Sequence, residues 1–475
     1  MTGEIKMFRS IICIILAAIH AFIFTNFSSK KIQNIGVNKF VEHQVFESFG
    51  TSSCWWSQTV DNEETAREIA RLLYDDETGL GLDIYRYNIG GGEKENPDCR
   101  IWDVNRRTES FYVLNEETGE YEFDFTRDAN ARRMLDMAVE YGAKEVILFC
   151  NSPHFSMTAS GHASGGLTEY ASNLPEENYQ KFVDYVLTIA DWFVSQGYPV
   201  SAISPINEPQ WKWGGDWVGQ EGCHYTADET VKVLELFAKE MKKRNSPYKL
   251  NGPESGQMSP EYHEYIDKFF ANETINEFCD TFSGHSYWLD NNTWVKSETG
   301  KKFAEEYPDK KFEMSEWCEL PLTIDSRTID SGLYMANIIV QDLNLFNAVS
   351  WQSWTAVNGD GLMEIINGEL VIYNRYYAYK QFSNFIMPGM VRIDTMDSFK
   401  DNSKIASTAF TDGDKTVIVL VNNAEESQNI RLWGSYENME IHTTDAEHNC
   451  ENTYSGEYIR ENTLPSKSIT TIVLS

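Results

Sequence analysis

Between residues 46 and 354, apolar runs of strand length alternate with longer segments whose apolar residues recur at helical spacing. The strand-like runs are 46–50, 82–89, 145–150, 200–204, 249–253, 281–285, 311–316 and 348–354. Helical patterns lie between them, near 62–74, 126–141, 176–196, 227–243, 260–270, 295–307 and 329–346. In the first, Ala66, Ile69, Ala70 and Leu73 share a face behind an Asp61 or Asn62 cap. Eight strand–helix units with parallel-crossover lengths predict an α/β fold closed as a (β/α)8 TIM barrel over 47–384. A doubly wound sheet is the alternative, but Gly90-Gly91-Gly92 after the second strand lacks the phosphate-turn spacing, and a polar excursion rather than a helix follows it. From about 385 the period shortens to alternating stretches such as 405–410, 416–421 and 469–474 between Asn, Asp and Gly turns. They predict a C-terminal antiparallel β-sandwich side domain over 385–475. Residues 36–46 read as an isolated strand ahead of the barrel.

The N-terminus changes this picture. Lys6 and Arg9 precede an apolar run from Ile11 to Phe24, interrupted by His20. The run is short for a membrane span and reads as a signal peptide over 1–27, which predicts a secreted, extracellular protein. No clean small-x-small cleavage site follows, so an uncleaved anchor stays open. Seven cysteines remain beyond it, an odd number at wide spacing, which implies at least one free thiol and no metal-ligand pattern. The 40 Lys plus Arg against 72 Asp plus Glu leave a net charge of −32, which excludes nucleic acid and anionic membrane surfaces as partners. With no basic amphipathic segment, no stable membrane partner is expected, and the chain is expected to be a monomer.

The candidate chemistry sits at the strand ends. Ser204-Pro205-Ile206-Asn207-Glu208-Pro209 closes the fourth strand, and the proline bars it from continuing. The seventh closes on Ser315-Glu316-Trp317. Two carboxyls at the ends of two strands of one sheet are what glycoside hydrolysis requires, one to protonate the leaving oxygen and one to attack or to activate water. Around them the strand ends offer Thr51, Cys54, Trp55 and Trp56; Arg86 and Asn88; Asn151 and His154; Asn207; Glu254; His285 and Tyr287; and Trp351 and Trp354. Any one of these is explained as a satisfied loop residue. A ring of polar groups facing one another needs a ligand or extensive mutual pairing.

These residues carry a resemblance. Asn207-Glu208-Pro209 and Ser315-Glu316-Trp317 resemble the acid/base and nucleophile segments of the clan A retaining glycosidases. Phe49-Gly50-Thr51-Ser52 with Trp55-Trp56, Arg86-Tyr87-Asn88-Ile89-Gly90, the stretch from Asn151 to Met157, Gln220-Glu221-Gly222-Cys223 and His285-Ser286-Tyr287 narrow it to glycoside hydrolase family 30, from about Phe40 onward. The Trp pair and the Gln-Glu-Gly-Cys segment are most similar to its endo-β-1,6-galactanase branch. After Ser152-Pro153 such relatives often carry a tryptophan where this chain has His154-Phe155, which puts the sugar platform over that strand in doubt.

The resemblance implies a side β-domain completed by a strand from 28–46. It implies Glu208 as acid/base and Glu316 as nucleophile, about 5 Å apart. Arg86 and Tyr287 would hold Glu316 ionised, and Asn207 would donate to the sugar 2-hydroxyl. Trp354 or Trp56 would floor the central subsite, and Asn88, Asn151 and His285 complete the substrate-binding set. No metal or cofactor is implied. The expected partner is a neutral β-linked polysaccharide or oligosaccharide, best taken as β-1,6-galactan cut internally. Exo action, a glucanase or xylanase activity, or non-catalytic binding are the alternatives.

Overall fold

The computed structural model describes residues 32–216, 218–396 and 404–475. The barrel strands are β1 (Ser48–Ser52), β2 (Ile84–Asn88), β3 (Glu145–Phe149), β4 (Val200–Ser204), β5 in two pieces (Lys249–Leu250 and Gly252–Ser255), β6 (Thr281–His285), β7 (Lys311–Trp317) and β8 (Ser350–Ser353). Their hydrogen-bonded order is first piece of β5, then β4, β3, β2, β1, β8, β7, β6 and the second piece of β5. Both ends of the series are the same strand, so the sheet closes into a (β/α)8 barrel. The break falls at Asn251, whose N–H donates to Ile203 O at 2.8 Å. β5 also runs on to Ser255, which puts Glu254 inside the strand rather than after it.

Alternation along each strand sorts its residues. On β3, Val146 and Leu148 pack outward in the main core, while Ile147 meets Ile84 and Ala202 in a separate inner cluster. That small apolar plug closes one end of the barrel interior, and the polar residues stack above it.

The helices are α1 (Glu63–Tyr74), α2 (Ala129–Tyr141), α3 (Tyr179–Ser195), α4 (Ala227–Arg244), α5 (His263–Ala271), α6 (Thr293–Glu306), α7 (Ile329–Gln341) and α8 (Asn374–Ser383). Asn62 caps α1 by accepting from Thr65 N–H at 2.9 Å, and Thr226 with Glu229 forms a capping box on α4. α2 starts three residues later than its pattern because Asp128 has φ 50°, a left-handed conformation that no helix continues through. The end of the 329–346 pattern is a π-helical turn, Asp342–Phe346.

The second sheet has nine strands. Its N-terminal strand, Gln33–Val45, pairs antiparallel with Val391–Met396 and parallel with Gln428–Trp433. Within 385–475 every pairing is antiparallel, as expected, and the sheet becomes mixed only through the N-terminal strand, which arrives from the far end of the chain and is not bound by hairpin connections. Ile35, Ile393, Ile418, Leu420, Ile430 and Ile472 form its core. It is fastened to the barrel by Phe46 N–H to Met390 O at 2.8 Å, and by Gln381 of α8, which bonds Thr444 Oγ1 at 2.9 Å and Thr471 Oγ1 at 2.6 Å.

Among the described residues no helix is long and apolar enough to cross a membrane. The expected signal peptide lies outside the described residues. Cys54, Cys99, Cys150, Cys223, Cys279, Cys318 and Cys450 are all free thiols.

Candidate active site

Alternation on β2 points Ile84, Arg86 and Asn88 inward. Arg86 is wholly buried, with its guanidinium over the Phe149 ring at 3.8 Å. Nη1 donates to Glu316 Oε2 at 2.8 Å and Nη2 to Asn207 Oδ1 at 3.3 Å, and Glu254 Oε1 lies 3.4 Å away. Glu316 reaches the same interior through a bulge. Gly284 pairs with Met314 but His285 pairs with Glu316, so one extra residue of β7 is accommodated there. Glu313, Ser315 and Glu316 consequently all meet interior groups: Glu313 accepts from Asn251 at 3.1 Å and from Gln352, Ser315 donates to Glu254, and Glu316 Oε1 accepts from Tyr287 OH at 2.9 Å.

Glu208 stands across from it. Its backbone is left-handed (φ 48°), as is that of Glu254 (φ 51°), and Glu208 N–H donates to Glu254 O at 2.8 Å. Such conformations are costly for non-glycine residues and concentrate at functional sites. Between the acids lies His285, fully buried, with Nδ1 3.1 Å from Glu208 Oε1 and Nε2 3.3 Å from Glu254 Oε2 and 3.6 Å from Glu316 Oε2. Burial disfavours its cation, but the charge of Glu316 and the bonds to Glu208 and Glu254 outweigh that and push the ring up to about 10. Burial likewise works against the Glu254 anion, yet Arg86 and then His285 hold that carboxyl down at about 2. Glu316 is pushed above the ordinary carboxylate value by burial, with His285 and Arg86 opposing.

Oxygens of Glu208 and Glu316 and a nitrogen of His285 lie within 4.8 Å of one another, a spacing a metal ion would accept. The same acids that crowd the His285 ring favour its protonated form, in which both nitrogens donate.

Above the acids opens a cleft of ≈ 340 Å³. Trp55 and Trp354 meet edge to face at 5.3 Å on one side, and Trp211 and Trp288 stack at 4.8 Å and 7° on another. Its two cations are paired, Arg106 with Asp103 at 3.6 Å and Lys212 with Glu169 at 3.2 Å, while Glu208, Glu316 and Asp360 also line it. A larger surface hollow of ≈ 850 Å³ at the start of α1 gathers Glu63, Glu64 and Glu68 with Arg67 but no comparable aromatic wall, and is set aside on that ground.

Of the residues singled out from sequence, Trp55, Glu208, Tyr287, Glu316 and Trp354 line the cleft. Arg86, Asn151, Asn207 and His285 lie beneath it in a buried layer, where Asn207 Nδ2 donates to Asn151 Oδ1 at 3.3 Å and Asn151 Nδ2 to Asn88 Oδ1 at 3.3 Å. Trp56 is not part of the lining: it is buried, with Nε1 donating to Ser52 O at 3.0 Å, and its neighbour Trp55 takes the wall position. His154 is turned inside, against Tyr112 and Tyr121. Trp211, Trp288 and Arg106 also line the cleft and were not among the strand-end candidates; for the two tryptophans the one available signal was an aromatic residue closely following Pro209 and His285.

A sequence profile for O-glycosyl hydrolase family 30 matches residues 32–363. The chain belongs to that family. It is 24% identical over 417 residues to an endo-β-1,6-galactanase of Hypocrea rufa, covering 81% of this chain and 80% of the relative. A glucuronoxylanase of Bacillus subtilis is 24% identical, over 71% and 75% of the two chains. In structure the chain is similar to a conserved exported protein from Bacteroides fragilis, with a TM-score of 0.83, 25% identity, and 93% and 100% of the chains covered. The protein is a glycoside hydrolase on a (β/α)8 barrel with a β-sandwich beside it.

Proposed function

We propose that this family 30 hydrolase is an exported, monomeric, retaining endo-β-1,6-galactanase, with its chemistry in the barrel at 47–384 and its side domain formed by 385–475 and a strand from 28–46. Glu316 attacks the anomeric carbon while Glu208 gives its proton to the departing glycosidic oxygen, and the sugar is left as an ester on Glu316. Glu208, now a base, takes a proton from water, whose oxygen attacks the same carbon and releases Glu316. Arg86 and Tyr287 aim the nucleophile, and Asn207 donates to the sugar 2-hydroxyl, a bond that strengthens as oxocarbenium charge develops. Trp354 floors the ring being cut.

The observation that carries this reading is the spacing. Glu208 and Glu316 oxygens within 4.8 Å fit direct attack and leave too little room for the water that an inverting pair must hold. Two cations already paired with acids, on a chain of net charge −32, favour a neutral glycan. The relative that spans 81% of the chain favours β-1,6-galactan cut internally. Incubating the purified protein with β-1,6-galactan, β-1,6-glucan and xylan tests this. Early release of mixed oligosaccharides from galactan is expected. Monosaccharide alone from the start, or activity confined to glucan or xylan, would overturn it.

A further inference from the structure

The wall beside the acid takes no part in the chemistry above. Trp211, three residues past Glu208, donates its backbone N–H to Glu208 O at 3.1 Å, so its place is tied to that of the acid. Trp288 comes from the loop after β6 and lies flat on it, rings 7° apart. Core packing does not explain Trp288, which is 45% exposed. Nor does its backbone favour the position, since φ is 58°, a conformation disfavoured for a bulky residue. Something other than folding has to reward an indole held there.

We infer that Trp211 and Trp288 form the platform for the sugar on the leaving-group side of the scissile bond. The argument is one of direction, and it rests on the two-glutamate galactanase reading. The oxygen that receives the proton belongs to the departing sugar, so that sugar lies against whatever surrounds Glu208, and Trp211 and Trp288 do. The retained sugars run the other way, toward β8, which lies opposite β4 in a ring of eight strands and carries Trp354 with Trp55 packed on it. In a β-galactose ring the axial 4-hydroxyl leaves one face lined with C–H bonds, which suits an indole plane. Aromatic surface on both sides of the carboxylate pair makes the cleft a site for chain interiors rather than chain ends.

The test compares two substrates that share the retained sugars and differ beyond the bond cut: a β-1,6-galactohexaose and β-1,6-galactobiosyl fluoride, whose departing fluoride needs no platform. Trp288→Ala is expected to lower kcat/KM on the hexaose about 10- to 100-fold, to leave the fluoride within about twofold, and to lose transfer of the galactobiosyl group to added galactose. Trp288→Phe should recover most of the loss. If hexaose and fluoride fall together, or if neither moves, the platform assignment is wrong while the galactanase reading stands. A wild-type protein inert on both substrates would instead remove the reading itself and the assignment with it.

Discussion

His285 is placed where an apolar side chain would not serve: its two nitrogens face three buried carboxyl groups, and a cation there offsets charge on Glu254 and Glu316 that Arg86 alone cannot. Replacing it with Gln leaves those acids facing one another. The expected result is a fall in kcat far exceeding any change in KM, together with a loss of stability on the order of 3–5 kcal/mol, the usual scale when one member of a buried ionic cluster is removed. Steady-state kinetics and thermal melting of His285→Gln check both, and an unchanged kcat would contradict the role. Glu208 and Glu316 drew attention in the sequence because each ends an apolar run, a local signal. The charge state of His285 left no such trace. It depends on β4, β5 and β7 delivering acids to one point, and no window of sequence contains them.

At the scale of elements, the loops that follow the strands press directly on the side chains of the site. A Cβ added at Gly256, just past β5, would lie 2.7 Å from Glu208 Oε1, 2.9 Å from its Cγ and 3.0 Å from its Cδ, so this side chain and no backbone has to give way. Gly256→Ala should therefore fold normally and displace the acid: kcat is expected to drop about 100-fold, the cost of an ångström of misplacement, with Tm almost unchanged. A variant with full activity, or one that fails to fold, would contradict that account. The alternating periods that separate strands from helices were legible here, and with them the barrel. The bulge of β7 was not, since Glu313-Met314-Ser315-Glu316 carries no glycine to mark it, and neither were Trp211 and Trp288, which sit in loops without a period.

Taken whole, the molecule keeps several protons that an unfolded chain would release. Burial pushes Glu221 and Glu313 up to about 8 from 4.5, and the surrounding acids raise His285 to about 10 from 6.5. In each case the native state binds the extra proton, so the stabilisation is complete below the unfolded value and is lost as pH rises through the folded one. The windows are pH 4.5 to 8 for the glutamates and 6.5 to 10 for His285. Glu254, held at about 2, acts in the opposite sense and only below 4.5. Tm should peak near pH 5 and decline up to pH 10, and Glu313→Gln should flatten the decline below pH 8. Calorimetry across that range decides it, and a Tm that climbs from pH 6 to 9 would be contrary.

The central claim concerns which glutamate does what, and azide rescue of the two alanine variants on an activated aryl β-1,6-galactobioside reads it out directly through the anomeric configuration of the product in proton NMR. Azide entering the space vacated in Glu316→Ala should give the α-galactobiosyl azide. Azide attacking the ester left on Glu316 in Glu208→Ala should give the β-azide. The opposite pairing of variant and anomer, or hydrolysis by Glu316→Ala at the wild-type rate without azide, would contradict the assignment.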